Sequence, residues 1–139
     1  MSIAGDLAAF LVKTKVGDLP ALALERARMA IASTIASAAM GADIVSSRII
    51  RELATERGGN PEATVWFDGG RRLPVADAAR VNAVMSDAAA SDDSDLRSIA
   101  HIGTIVSTTA IAMAERTGAG GRDVLRAMVL GYELAGRID

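Results

Sequence analysis

The sequence predicts a mainly α, bundle-like fold carrying one short β-hairpin, and three observations lead there. Half of the residues are hydrophobic, yet only four of the 139 are aromatic: Phe10, Trp66, Phe67 and Tyr132. Ala, Gly, Ser and Thr fill much of the remainder, a mixture suited to closely packed helices rather than a bulky aromatic core or a β-sandwich. Apolar stretches of helical length are punctuated by Gly and Pro, and one pair of short extended runs flanks an Asp-Gly step. At 14.3 kDa the chain is long enough for a single domain spanning residues 1–139.

The first helix is predicted over Ile3 to Lys13, with Ser2 as its cap and Ile3, Leu7, Phe10 and Leu11 on one face. A turn follows at Val16-Gly17-Asp18-Leu19, and Pro20 suits the first position of the second helix. That helix runs to about Met40 and stops at Gly41. Its charges, Glu25, Arg26 and Arg28, lie in the first half, and from Met29 onward it is apolar or small all round, the mark of a helix buried on every side. A third helix covers Ser47 to Arg57 and ends at Gly58-Gly59. The hairpin is expected from Ala63–Phe67 and Arg71–Val75 around Asp68-Gly69-Gly70, with Pro74 cutting the second strand short or holding it to an edge. The fourth helix, Ala76 to Ala89, turns Val81, Val84, Met85 and Ala88 inward. The fifth starts near His101 or Ile102, ends by Thr117-Gly118 and carries no charge before Glu115. The sixth, Arg122 to Ile138, is amphipathic, with Arg122, Arg126, Glu133 and Arg137 on one stripe and Gly131 opposite, where a neighbouring helix can approach closely. Glu133 and Arg137 are spaced as an i,i+4 ion pair, and Tyr132 reads as a packing residue.

Composition narrows the function. A net charge of −2 and a pI near 5.4 give no basic stripe, so nucleic acid is not an expected partner. Without cysteine there are no disulfides and no thiolate metal sites. The start Met-Ser-Ile-Ala-Gly-Asp lacks the basic and apolar regions of a signal peptide. The longest uncharged runs, Met29 to Ala42 and Ile102 to Ala114, fall short of the roughly 20 residues a membrane span needs, so a cytoplasmic protein without membrane contact is expected. Helices two and five, both apolar all round, each need a ring of neighbours that four short helices and a hairpin hardly supply. Another chain, a second copy or a missing C-terminal part is therefore expected to complete the core.

The chemistry concentrates between Asn82 and Ile102. This stretch holds Asp87, Asp92, Asp93, Asp95, Arg97 and the only histidine, His101. At the start of a helix, unpaired N–H groups and the dipole attract carboxylates and disfavour imidazolium, so His101 is expected to stay neutral and able to act as a base. Arg97 could hold a carboxylate bidentately. Asp92 and Asp93 could orient His101 or a substrate hydroxyl, or one could serve as a general acid if burial raised its pKa. The plainer alternatives are a capping histidine and a solvated loop whose acids bond local N–H groups. The acids lack the spacing and closing Glu of a calcium loop, and no metal or cofactor is expected. Gly118-Ala119-Gly120-Gly121 opens a helix without a preceding strand and is a poor phosphate loop.

An ordered series of segments then points to a family. It runs Leu19-Pro20, Met40-Gly41, Gly58-Gly59-Asn60-Pro61-Glu62-Ala63-Thr64-Val65, Ala78-Ala79-Arg80-Val81-Asn82 and Ser91-Asp92-Asp93-Ser94. It continues through His101, Ala112-Met113-Ala114-Glu115-Arg116-Thr117-Gly118 and Gly131-Tyr132-Glu133-Leu134-Ala135-Gly136-Arg137-Ile138. The series resembles the N-terminal part of the MmgE/PrpD family, whose members include 2-methylcitrate dehydratase, cis-aconitate decarboxylase and iminodisuccinate epimerase. The resemblance implies an all-helical domain with a cleft for small di- and tricarboxylates, and so an incomplete N-terminal part or small subunit of a lyase or isomerase. The catalytic residues it implies are His101, Asp92 and Asp93, with Ser94 and Arg97 binding substrate. The family's later lysines and second histidine would lie beyond Asp139. The family's motifs read Asn-Gly, a His, Asp-x-Asp-Asp-Thr and His-Pro. Here Asn82, Asp92, Asp93 and His101 match, whereas Ala83, Asp87, Ala90, Ser94 and Ile102 depart from the pattern.

Overall fold

A computed structural model describes residues 2–96 and 99–138. Six α-helices are formed among them: α1 Ile3–Lys13, α2 Ala21–Gly41, α3 Val45–Arg57, α4 Val75–Ala88, α5 Ile102–Thr117 and α6 Gly121–Ile138. Between α3 and α4, β1 Ala63–Thr64 pairs antiparallel with β2 Arg72–Leu73, matching Ala63 to Leu73 and Thr64 to Arg72. The predicted fold class holds. The strands are shorter than expected: Val65 N–H still bonds the Arg71 carbonyl at 2.8 Å, but Asn82 takes the Trp66 N–H and the Thr64 carbonyl, and Pro74 becomes the N-cap of α4. Pro20 likewise caps α2 from outside instead of occupying its first position. Ser2 caps α1, accepting from the Gly5 N–H at 3.2 Å.

The middle of the fold is α4, which packs against α2, α3 and α5, while α6 closes on α5 and α2. Its core is built of small residues, with Ala38, Ala54, Ala63, Ala78, Val65, Val81 and Met85 almost wholly buried. Of the inward set predicted for α4, Val81 and Met85 are buried, whereas Val84 and Ala88 are only partly covered. Buried Asp77 bridges α3 to α4 by accepting from Arg57 and Arg80, each at 2.7 Å. Buried Asn82 clamps the hairpin: its Oδ1 accepts from Trp66 N–H at 2.9 Å and its Nδ2 donates to the Thr64 carbonyl at 3.0 Å. Glu115 receives both the N–H and the hydroxyl of Thr64, tying β1 to α5.

Two expectations need correction. Neither α2 nor α5 is buried on every side. Leu22, Met29 and Met40 of α2 and Ile105 and Met113 of α5 are exposed, while the buried positions are largely Ala, Ser and Thr. Residue type alone marks both helices as apolar all round, but the burying contacts select the small faces, which allow close helix approach. On α6, Arg126 leaves the polar stripe and donates to the carbonyls of Leu11 and Thr14, at 2.6 Å each, fastening the end of α1. Glu133 and Arg137 form the expected ion pair. Gly131 faces Val106, whose Cγ1 would lie 2.6 Å from an added Cβ, as the predicted close approach of α5 requires.

Candidate acid–base site

The last turn of α4 and the first turn of α5 frame the site. Asp87 stands near the end of α4, and His101 is the N-cap of α5 with no side-chain capping bond of its own. The segment between them turns twice through the left-handed region, at Ala90 with φ 49° and Ile99 with φ 62°. Such backbone is costly for L-residues, by about 1–2 kcal/mol each. It is braced by Ala90 N–H on the Asp87 carbonyl, Asp95 N–H on the Ala100 carbonyl and Ile99 N–H on the Asp95 carbonyl. These turns bring the consecutive carboxylates Asp92 and Asp93 onto the start of α5.

Asp92 has no exposed side-chain surface. Its Oδ2 accepts from His101 Nδ1 at 2.9 Å and from the Thr104 hydroxyl at 2.5 Å, so two donors offset the desolvation of a buried carboxylate. Its other oxygen is buried without a hydrogen bond among the described residues. Since the Thr104 hydrogen goes to Asp92, the Ser86 hydroxyl donates to Thr104 at 2.9 Å, and Ser37 of α2 donates to the Ser86 carbonyl at 2.7 Å. A polar seam thus crosses α2, α4 and α5 and ends at the histidine. It gives Ser37, Ser86 and Thr104 a shared task in helices rich in small apolar residues.

The His101 ring is 40% exposed, and Asp87 Oδ1 lies 3.5 Å from its Nδ1. The hydrogen bond to Asp92, then the charge of Asp92, raise its pKa above the ordinary 6.5. Asp87 and Asp93 add to this, and the small loss of solvent does not cancel it. The expectation of a histidine kept neutral by the helix dipole is therefore corrected, because a direct carboxylate partner outweighs the partial charge of a helix end. With Nδ1–H committed to Asp92, Nε2 is the nitrogen able to exchange a proton with a substrate. The carboxylate oxygens of Asp87 and Asp92 and His101 Nδ1 all lie within 4.8 Å of one another, a grouping close enough for a cation to bridge. The 2.9 Å contact is the length of a direct charge-assisted hydrogen bond, and the trio reads as an acid–base pair with a flanking carboxylate.

Asp93 turns the other way. Its Oδ2 accepts from the Tyr132 hydroxyl of α6, and its Oδ1 is buried without a partner among the described residues. Burial, then the hydrogen bond and charge of Asp93, push the Tyr132 phenol well above its usual range and keep it a donor. A cavity of about 440 Å³ between α2 and α6 reaches Asp93 and Tyr132 and is bordered by Arg26 and Glu133. His101 does not line it.

Of the residues expected at the site, His101 and Asp92 are in contact and Asp93 adjoins them through the chain. Ser94 is exposed and makes no hydrogen bond among the described residues. Arg97 lies outside the described residues. Sequence reasoning missed Thr104 and Tyr132. Thr104 sits three residues after His101 on the same helix face, a signal that was available. Tyr132 lies 39 positions from Asp93, and nothing local marks it as other than a packing residue.

The family model described as MmgE/PrpD N-terminal domain matches residues 5–139. No curated protein and no solved structure matches the chain.

Proposed function

The chain belongs to the MmgE/PrpD family through its N-terminal domain, and from that premise we propose that it supplies the acid–base half of a lyase or isomerase site. The reaction is proton abstraction next to a carboxylate, leading to dehydration, decarboxylation or epimerisation of a small polycarboxylate or related acid. The observation that carries this reading is the His101–Asp92 pair: a buried carboxylate fixes Nδ1 and stabilises the imidazolium formed when Nε2 takes a proton. Asp87 adds negative potential at the rim. Asp93, Ser94 and Arg97 complete the proposed site as orienting and substrate-binding groups.

A second protein chain, a second copy or a further C-terminal part of the same protein completes the fold and supplies the remaining residues. The exposed apolar residues of α2 and α5 support this, since faces of that kind are normally covered. Where the adjacent reading frame encodes the rest of the family's fold, co-expression with its product should give a stable complex. In that complex His101→Ala should cut turnover by about 10² or more, and an unchanged rate would remove His101 from the mechanism.

A second reading, a non-catalytic scaffold or regulatory subunit, is favoured by Asp87 and Ala90. Ala90 keeps a left-handed turn that Asp or Asn tolerates better, yet lacks the carboxylate of the family motif. On this reading the complex turns over equally well with His101 replaced.

A further inference from the structure

We propose that Tyr132 is a positioning residue of this site: its hydroxyl pins Asp93 and, through the adjoining peptide, holds Asp92 against His101. The proposal rests on the acid–base reading above and assigns a task to a residue that sequence reasoning left to packing.

Three observations support it. Asp92 and Asp93 are consecutive, and their carboxylates are held by different helices. Asp92 is bound in the first turn of α5 by Thr104, and Asp93 is bound from α6 by Tyr132. A two-residue segment fastened on both sides has little freedom to rotate either carboxylate away. Second, the place where Asp93 meets Tyr132 exists only because residue 103 is glycine. A Cβ there would overlap Asp93 Oδ1, lie 2.5 Å from the Tyr132 hydroxyl and 2.6 Å from Asp93 Cγ. Third, the flanking backbone does not hold the segment cheaply, since Ala90 and Ile99 both occupy the left-handed region. Side-chain anchors offset that cost, Thr104 from α5 and Tyr132 from α6.

His101 is the only histidine in the chain, so its imidazole NMR signals report the site without ambiguity. Asp87 from α4 and Asp92 and Asp93 from the loop are the charged groups that raise its midpoint. In the full chain the wild-type midpoint should lie above 6.5. Tyr132→Phe keeps every one of those charges, yet the midpoint should fall toward 6.5 as Asp92 leaves Nδ1. Gly103→Ala should reproduce that fall with Tyr132 intact, because the added methyl expels the Asp93–Tyr132 pair. Asp93→Asn keeps an acceptor for the phenol and should lower the midpoint less than Tyr132→Phe does.

A midpoint unchanged in both folded Tyr132→Phe and folded Gly103→Ala overturns the proposal. Where Tyr132→Phe does not fold, Gly103→Ala decides; where neither folds, the role is structural and the proposal falls. The two readings fail separately. An unmoved midpoint alongside turnover lost in His101→Ala removes only the pin. A lowered midpoint alongside full turnover in His101→Ala removes only the acid–base chemistry.

Discussion

Asp92 concentrates two hydrogen bonds on one buried oxygen, and His101 is the partner whose protonation changes near neutral pH. Because the folded-state pKa of His101 is raised, the pair's contribution to stability is fully present below 6.5 and is lost as pH rises through the raised midpoint. Thermal denaturation followed between about pH 5 and about pH 9 should show stability declining across that window. Asp92→Asn should flatten the decline, because the charge that favours imidazolium is gone. If His101 acts as a base, the rising limb of the rate profile should likewise sit above 6.5 and move down in Asp92→Asn. A stability decline just as steep in Asp92→Asn would show that His101 is coupled to another group. At this scale the sequence singles out His101 and Asp92 as candidates, and the structure brings their side chains into contact. The sequence misjudged the direction of the histidine's pKa because helix position is visible in a sequence and a carboxylate placed by two backbone turns is not.

At the level of elements, the crossing of α2 over α4 depends on Gly41. An added Cβ would overlap the Met85 carbonyl oxygen and lie 3.0 Å from its carbon and 3.3 Å from the Ala89 nitrogen. These are backbone atoms, so rotamer changes cannot relieve the clash and the helices must separate. Gly41→Ala should destabilise the fold by about 1–3 kcal/mol, the range for overpacking, despite the better helix propensity of alanine. Chemical denaturation measures it, and a stabilised variant would mean that the crossing is loose. The sequence presented Gly41 as a helix stop, and α2 does end there. Its packing role was not legible, because a glycine at a helix end serves both purposes with the same local pattern. The hairpin shows the same limit. Asp-Gly placed the turn, while the length of the strands was decided by Asn82, Glu115 and the start of α4.

Across the whole molecule, small faces pack inward and larger apolar side chains remain outside. Ile105, Thr109 and Met113 form a ridge along α5 with grooves on both sides, one toward α6 and one toward α4. Among the described residues no single helix is long and apolar enough to cross a membrane. The proposed partner chain offers cover for this ridge. Met113→Glu should leave the fold of the isolated chain intact, since Met113 is 42% exposed. It should weaken association by about tenfold or more, as expected when burial of one large apolar side chain is lost. Sedimentation of the co-expressed complex tests this. Association unaffected by Met113→Glu would place the interface elsewhere, and a wild-type chain that stays monomeric in the partner's presence would remove the partner altogether.

The sequence by itself determined the six helices, the site of the hairpin turn, the family series and the stretch that holds the one histidine. Helical period, glycine stops and cap residues are local properties that act within a few positions. Tertiary structure alone decided which carboxylate faces His101, which faces Tyr132, and which sides of α2 and α5 are covered. Those outcomes depend on the left-handed turns at Ala90 and Ile99, and on contacts between residues dozens of positions apart. There the free energy comes from desolvation and hydrogen bonding between helices, and no local pattern records which partner a side chain meets.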